Sequence, residues 1–158
     1  MKVQDVMTSQ VKSCRPEINL AAAAGMMWDN NCGTLPVVNE QGQVMGMVTD
    51  RDIAIAVATK GRLAAEIPVG EVISGKVTAC ALDEDIKSAL KKMGQERVRR
   101  VPVVNREGHL QGILSLDDAA IHAQEDKRGR VSSLSYEDVM STYKAICERP
   151  LAAQAVQH

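Results

Sequence analysis

Aromatic side chains are nearly absent from this chain: its 158 residues include no Phe, one Trp and two Tyr. It therefore offers no platform for stacking the successive bases of a single strand. A surplus of one charge is lacking as well, because 19 Lys and Arg face 20 Asp and Glu, for a formal net charge of -1. A general nucleic-acid binder would carry excess positive charge on one face, so nucleic acid is not an expected partner. Apolar runs fall far short of the roughly 20 residues needed to cross a bilayer, and the start MKVQDVMTSQ lacks the basic-then-apolar layout of an export signal. No membrane association and a cytoplasmic location are the resulting expectations. Cys14, Cys32, Cys80 and Cys147 form no C-x-x-C, and His109, His122 and His158 form no H-x-x-x-H. Neither a structural zinc site nor a thioredoxin-like motif is expected; the plain reading of such cysteines is a small buried thiol, and their spacing leaves a disulfide open. The sequence also has no G-x-x-x-x-G-K-[ST] phosphate loop and no G-x-S-x-G elbow. No acid, base or nucleophile has an evident reason to be activated, so no catalytic residue, no required cofactor and no enzyme activity are expected.

What the chain does have is a repeat. At an offset of 66 residues, without a gap, Val3 falls on Val69, Val6 on Val72, Cys14 on Cys80 and Met27 on Met93. Pro36-Val37-Val38-Asn39 then falls on Pro102-Val103-Val104-Asn105, followed by Gly42 on Gly108, Gly46 on Gly112 and Asp52 on Asp118. Such a run marks a duplication. Each copy predicts a short segment ending near Val11 or Val77, then a helix with the apolar stripe Leu20, Ala23, Ala24, Met27 or Ile86, Ala89, Leu90, Met93. Two strands follow, Leu35 to Val38 and Val44 to Val48 in the first copy and Val101 to Val104 and Leu110 to Leu114 in the second. A second helix closes each copy, from Asp50 to about Val57 or from Leu116 to about Ala123. The expected class is α/β (α+β), with two β-α-β-β-α units packed about a pseudo-two-fold axis because neither can cover its apolar face alone. The divisions are 1–58, a linker at 59–68, 69–123, and a polar linker with a C-terminal amphipathic helix at 124–158. In that tail Tyr136, Val139, Met140, Tyr143, Ile146 and Cys147 form one helical stripe, which Ser135 would cap and Pro150 would stop. The stripe is expected to dock on the chain's own core or on a second subunit.

Chemistry concentrates at Gly46-Met47-Val48-Thr49-Asp50-Arg51-Asp52 and at Gly112-Ile113-Leu114-Ser115-Leu116-Asp117-Asp118. Each reads as a strand, a hydroxyl residue, and a helix with an acid three places on. That pattern fits a capping box, in which hydroxyl and carboxylate satisfy free backbone N–H groups. It fits a ligand site equally: a helix start favours phosphate, an ionised Asp can accept from two ribose hydroxyls, and a Gly inside a strand marks a bulge or a close approach to the backbone.

These segments, together with the Pro-Val-Val strand and its Gly-containing turn, resemble the CBS (cystathionine-beta-synthase) domain family over roughly residues 1 to 123. The tandem order is similar to the family's usual pair, the Bateman module. The resemblance implies a regulatory module whose Thr/Ser and Asp hold the ribose and phosphate of an adenosine compound in clefts between the repeats. It puts Thr49 with Asp52, and Ser115 with Asp118, at the ligand. It also implies a phosphate role for Arg100, beside Arg99, and an opposite wall of Thr8, Val11 and Lys12 with Gly33 close to the base. Thr34 stands at the matching position of the first copy, so the cleft of Ser115 and Asp118 is expected to be the better charged, although Arg51 could supply a charge to the other. The expected ligand is AMP, ADP or ATP, the expected assembly a homodimer, and the expected output a change passed to an unidentified effector protein. S-adenosylmethionine, NAD or nucleic acid as ligand, or a dimeric scaffold with degenerate clefts, remain alternatives.

Overall fold

The computed structural model describes residues 1–73, 77–125 and 133–148. In order, its elements are α1 (Leu20–Asp29), β1 (Thr34–Val38), β2 (Val44–Thr49), α2 (Asp50–Lys60), β3 (Cys80–Ala81), α3 (Ile86–Glu96), β4 (Arg100–Val104), β5 (Leu110–Ser115), α4 (Leu116–His122) and α5 (Tyr136–Cys147). The four hairpin strands begin and end within a residue of their predicted bounds, whereas the short segment expected to end near Val77 forms its strand later, as β3 at Cys80–Ala81. Helix α2 runs three residues further than predicted, because no breaker precedes Gly61, which ends it with a left-handed φ of 61°.

β1 and β2 pair antiparallel, as do β4 and β5, and β3 adds a parallel strand beside β4 through Cys80 and Val103. In the first repeat Cys14 occupies the place of β3 as a single bridge to Val37. Both hairpins turn on a left-handed glycine, Gly42 at φ 79° and Gly108 at φ 83°. These turns pair with each other: Val44 N–H donates to the Gly108 carbonyl at 3.1 Å and Leu110 N–H to the Gly42 carbonyl at 3.2 Å. The pseudo-two-fold axis thus passes between two hairpin tips.

Two cores result, and each takes a segment from the other half of the chain. Val3 and Val6 are buried with Leu90, Met93, Val101 and Leu114 of the second repeat, whereas Ile67 and Val69 are buried with Leu20, Leu35 and Val48 of the first. Backbone bonds fix the exchange: Val3 N–H donates to Glu84, Thr8 and Ile113 exchange a pair of 2.9 Å bonds, and Val69 N–H donates to Ile18. Residues 59–68 are accordingly more than a linker, since Ile67 is fully buried and its carbonyl accepts from Leu20 N–H. The exchange also explains the strand glycines. A Cβ on Gly112 would lie 2.5 Å from the Thr8 carbonyl oxygen, and one on Gly46 would lie 3.0 Å from the Ile73 side chain. Both also sit beside a bulge, where pairing skips Met45 and Gln111. The backbone approach expected at these glycines is made by the chain itself.

The helical stripes hold except at Ala24, which is exposed. The stripe of α5 divides: Val139 and Ile146 pack on the second core, while Tyr136, Met140 and Tyr143 are exposed. Ser135 caps α5 with Asp138, as its sequence predicts. Pro150, and all but Gln124 and Glu125 of the polar run Gln124 to Arg130, lie outside the described residues. No helix among the described residues is long and apolar enough to cross a membrane.

Candidate functional site

Each repeat ends its second strand in a hydroxyl residue that caps the next helix. Thr49 accepts from Asp52 N–H at 3.1 Å, and the Asp52 carboxylate takes the Thr49 N–H at 2.9 Å and its hydroxyl at 2.7 Å. Ser115 and Asp118 repeat this, with Ser115 N–H donating at 2.8 Å. The capping reading is therefore correct at both junctions. It leaves the second carboxylate oxygen over, and in the second repeat that oxygen accepts from the Thr8 hydroxyl at 3.1 Å. The N-terminal arm is thus tied to the cap of α4.

A cleft of about 690 Å³ opens beside Ser115 and Asp118. Thr8, Val11 and Lys12 form its opposite wall, and Arg100 lies at its edge, which brings six of the expected site residues together. Asn30, Cys32 and Asp117 are among the further residues that line it without having been anticipated as part of this cleft. The charges cancel here: Lys12 and Arg100 stand against Asp117 and Asp118, and the Arg100 guanidinium donates to the Asp117 carboxylate at 3.3 Å.

Gly33 and Arg99 belong to a different cleft, a correction to their expected place. Gly33 accepts from Asp50 N–H at 3.1 Å, and a Cβ on it would lie 2.9 Å from the Asp50 carboxylate, so it closes on its own repeat's strand-to-helix junction. This second cleft, about 830 Å³, is lined by Thr34, Met47, Thr49 and Asp50 of the first repeat. Asp52 is not part of its lining; its carboxylate turns back on Thr49. Arg51, Arg97 and Arg99 also line it, three cationic side chains against the single carboxylate of Asp50, together with Arg100, whose guanidinium is already paired with Asp117. Among the described residues no carboxylate pairs with Arg51, Arg97 or Arg99. The expectation that the Ser115 cleft is the better charged is thereby reversed. Arg97 ends α3 in a left-handed conformation with φ 54°, which turns the Arg97-Val98-Arg99-Arg100 run toward the first repeat's junction. No motif within one repeat could announce this, because Arg51 and Arg97 come from different repeats.

Helix α5 reaches the same cleft, contributing Ile146 and Cys147 to its wall. The Arg99 guanidinium lies over the Tyr143 ring, 5.5 Å from its centre. Elsewhere, burial raises the Cys14 and Cys80 thiols to about 11, which makes both inert at neutral pH. Among the described residues no three His, Cys, Asp or Glu side chains form a group that could hold a metal ion.

Comparison with known proteins shows the family to which the fold belongs. Over 139 residues the chain is 34% identical to the CBS domain-containing protein YhcV of Bacillus subtilis, covering 87% of this chain and 97% of that protein. Its fold matches the crystal structure of Hypoxic Response Protein I with two coordinated zinc ions, at a TM-score of 0.72 and 30% identity, covering 78% of this chain and all of that one. It also matches the CBS domain pair of protein MJ0100 in complex with 5-methylthioadenosine and S-adenosyl-L-methionine, at a TM-score of 0.70 and 26% identity, over 77% of this chain and 94% of that one. The CBS domain itself matches twice, at residues 3–59 and 69–124, and the chain belongs to the CBS domain family as a tandem pair.

Proposed function

We propose that the chain is a non-catalytic regulatory module that binds an adenine nucleotide, AMP, ADP or ATP, between its repeats and relays occupancy to another protein. The observation that carries this reading is that Arg51, Arg97 and Arg99 gather in the Thr49 cleft with no carboxylate paired to them among the described residues. Guanidinium groups donate paired, planar hydrogen bonds to phosphate oxygens, and like charges gathered without counter-charge favour a polyanion. The volume of about 830 Å³ falls within the roughly 300–1,000 Å³ typical of small-molecule sites, and Met47, Val77 and Ile146 supply apolar wall for a base. The Ser115 cleft, with balanced charge, suits an adenosine compound without phosphates, such as the ligands of the MJ0100 pair. Arg100 therefore no longer argues for phosphate in that cleft.

For such a module to signal, the ligand must prefer one arrangement of the repeats over another. Exposed apolar side chains offer surface for a homodimer or an effector: Trp28 is 86% exposed, Ile121 80% and Met140 63%. Thermal unfolding in the presence of AMP, ADP, ATP, NAD or S-adenosylmethionine tests the reading. A nucleotide at 100 times its dissociation constant should stabilise the fold by about 2.7 kcal/mol. If none of the five moves the midpoint, the chain is instead a scaffold with degenerate clefts.

A further inference from the structure

Within the nucleotide-binding reading, on which this inference rests, helix α5 has no counterpart in the first repeat and yet lines the arginine-rich cleft. We propose that α5 is the reporter of that cleft: phosphate groups bound there are gripped by Arg99 in the orientation set by Tyr143, and binding tightens α5 against α3. Three observations converge. Ile146 and Cys147 form part of the cleft wall, so a ligand there touches α5 directly. Arg99 lies over the face of Tyr143, and a guanidinium stacked on a ring keeps its N–H edge free to donate in plane. Finally, α5 packs on α3, the helix whose end projects Arg97 and Arg99: a Cβ on Gly94 would lie 3.3 Å from the Ala145 side chain, and Lys87 pairs with Asp138 at 2.9 Å. The arginines and α5 thus share one support, and a ligand that fixes the arginines also fixes the helix.

Coupling of this kind is reciprocal. Whatever ATP adds to the docking of α5, α5 adds to the affinity for ATP. The outer side of α5, with Tyr136 and Met140 exposed at 59% and 63%, would then be presented more or less firmly according to occupancy. A partner protein could read that difference without touching the ligand.

The test uses the full chain with ATP, and with adenosine as a probe lacking phosphate. Binding is followed by titration calorimetry, and α5 by hydrogen exchange of its amides together with the rate of maleimide addition at Cys147. That thiol is exposed, whereas Cys14 and Cys80 are buried with raised pKa and serve as internal blanks. ATP should slow exchange in α5 and labelling of Cys147 severalfold, and adenosine should do neither. Tyr143→Ala should weaken ATP about two- to fivefold, and Tyr143→Phe, which keeps the ring, should restore it. ATP that binds while α5 exchange and Cys147 labelling stay unchanged overturns the coupling and leaves the nucleotide reading standing. Absence of any ATP binding overturns both.

Discussion

The Thr49 and Ser115 clefts are built from the same strand-to-helix junction, with the same hydroxyl–carboxylate cap, and yet they differ in charge and in what closes them. At Ser115 the wall is the N-terminal arm, whose Thr8 hydroxyl ties to Asp118, and the cations Lys12 and Arg100 are answered by Asp117 and Asp118. At Thr49 the outer wall includes α5, and Arg51 stands at the position that Asp117 holds in the other repeat. That one difference works twice: it adds a cation to the Thr49 cleft and places a counter-charge beside Arg100 in the other. Duplication supplied two equal junctions; a few exposed side chains made them unlike. The capped helix start is common to both, so it cannot be what separates their ligands.

The walls give the largest expected effect. Gly112→Val would drive a Cβ into the backbone of the exchanged arm, and it should destabilise the chain by about 3 kcal/mol, read by chemical denaturation. Gly46→Val meets the side chain of Ile73, which can turn aside, and should cost about 1 kcal/mol. Equal losses would mean that the two arms are held alike. Next in size, Arg51→Gln and Arg99→Gln should each weaken ATP about tenfold, as expected for losing one charge-assisted contact, and should leave adenosine unaffected. A fall for both ligands alike would place adenosine in the same cleft. Asp117→Asn should act in the opposite direction, freeing Arg100 and letting the Ser115 cleft accept a phosphate severalfold better; the effect is modest because the pair is exposed.

The smallest effect concerns α5. Burial works against ionisation of Asp138, but the Ser135 N–H, the Lys87 ammonium and the Ser135 hydroxyl outweigh it and hold the carboxyl below its ordinary value of 3.8. Because the folded pKa is depressed, the contribution is complete above the unfolded value and disappears as pH falls through the folded one. Asp138→Asn should therefore lower stability by about 0.5 kcal/mol at pH 7, a deficit that closes as the pH is taken below 3.8. A deficit of equal size at pH 2.5 would show that the carboxylate charge contributes nothing.

The repeat, its strands and its helices are legible in sequence because hydrophobic period and turn chemistry are local. Gly42 and Gly108 announce hairpins that the left-handed φ values require, and Ser135 announces the start of α5. The arm exchange is not legible, and the reason lies in the duplication itself. Val3 matches Val69 and Val6 matches Val72, so each pair would fit either core, and only the chain's path decides which. The same symmetry hid the charge distribution. Arg99 and Arg100 are adjacent in sequence, and it is the turn at Arg97 and the Tyr143 ring that place Arg99 in the Thr49 cleft while Arg100 reaches both. Cys32, read as a buried thiol, lies instead on the Ser115 cleft, half-exposed because α1 ends just before it.

The most direct test of the difference between the clefts is a crystal structure of the full chain grown with ATP. The predicted result is a triphosphate held by Arg51, Arg97 and Arg99 beside Thr49, with α5 closed over it. Phosphates seated instead on Lys12 and Arg100, against Ser115 and Asp118, would contradict that assignment.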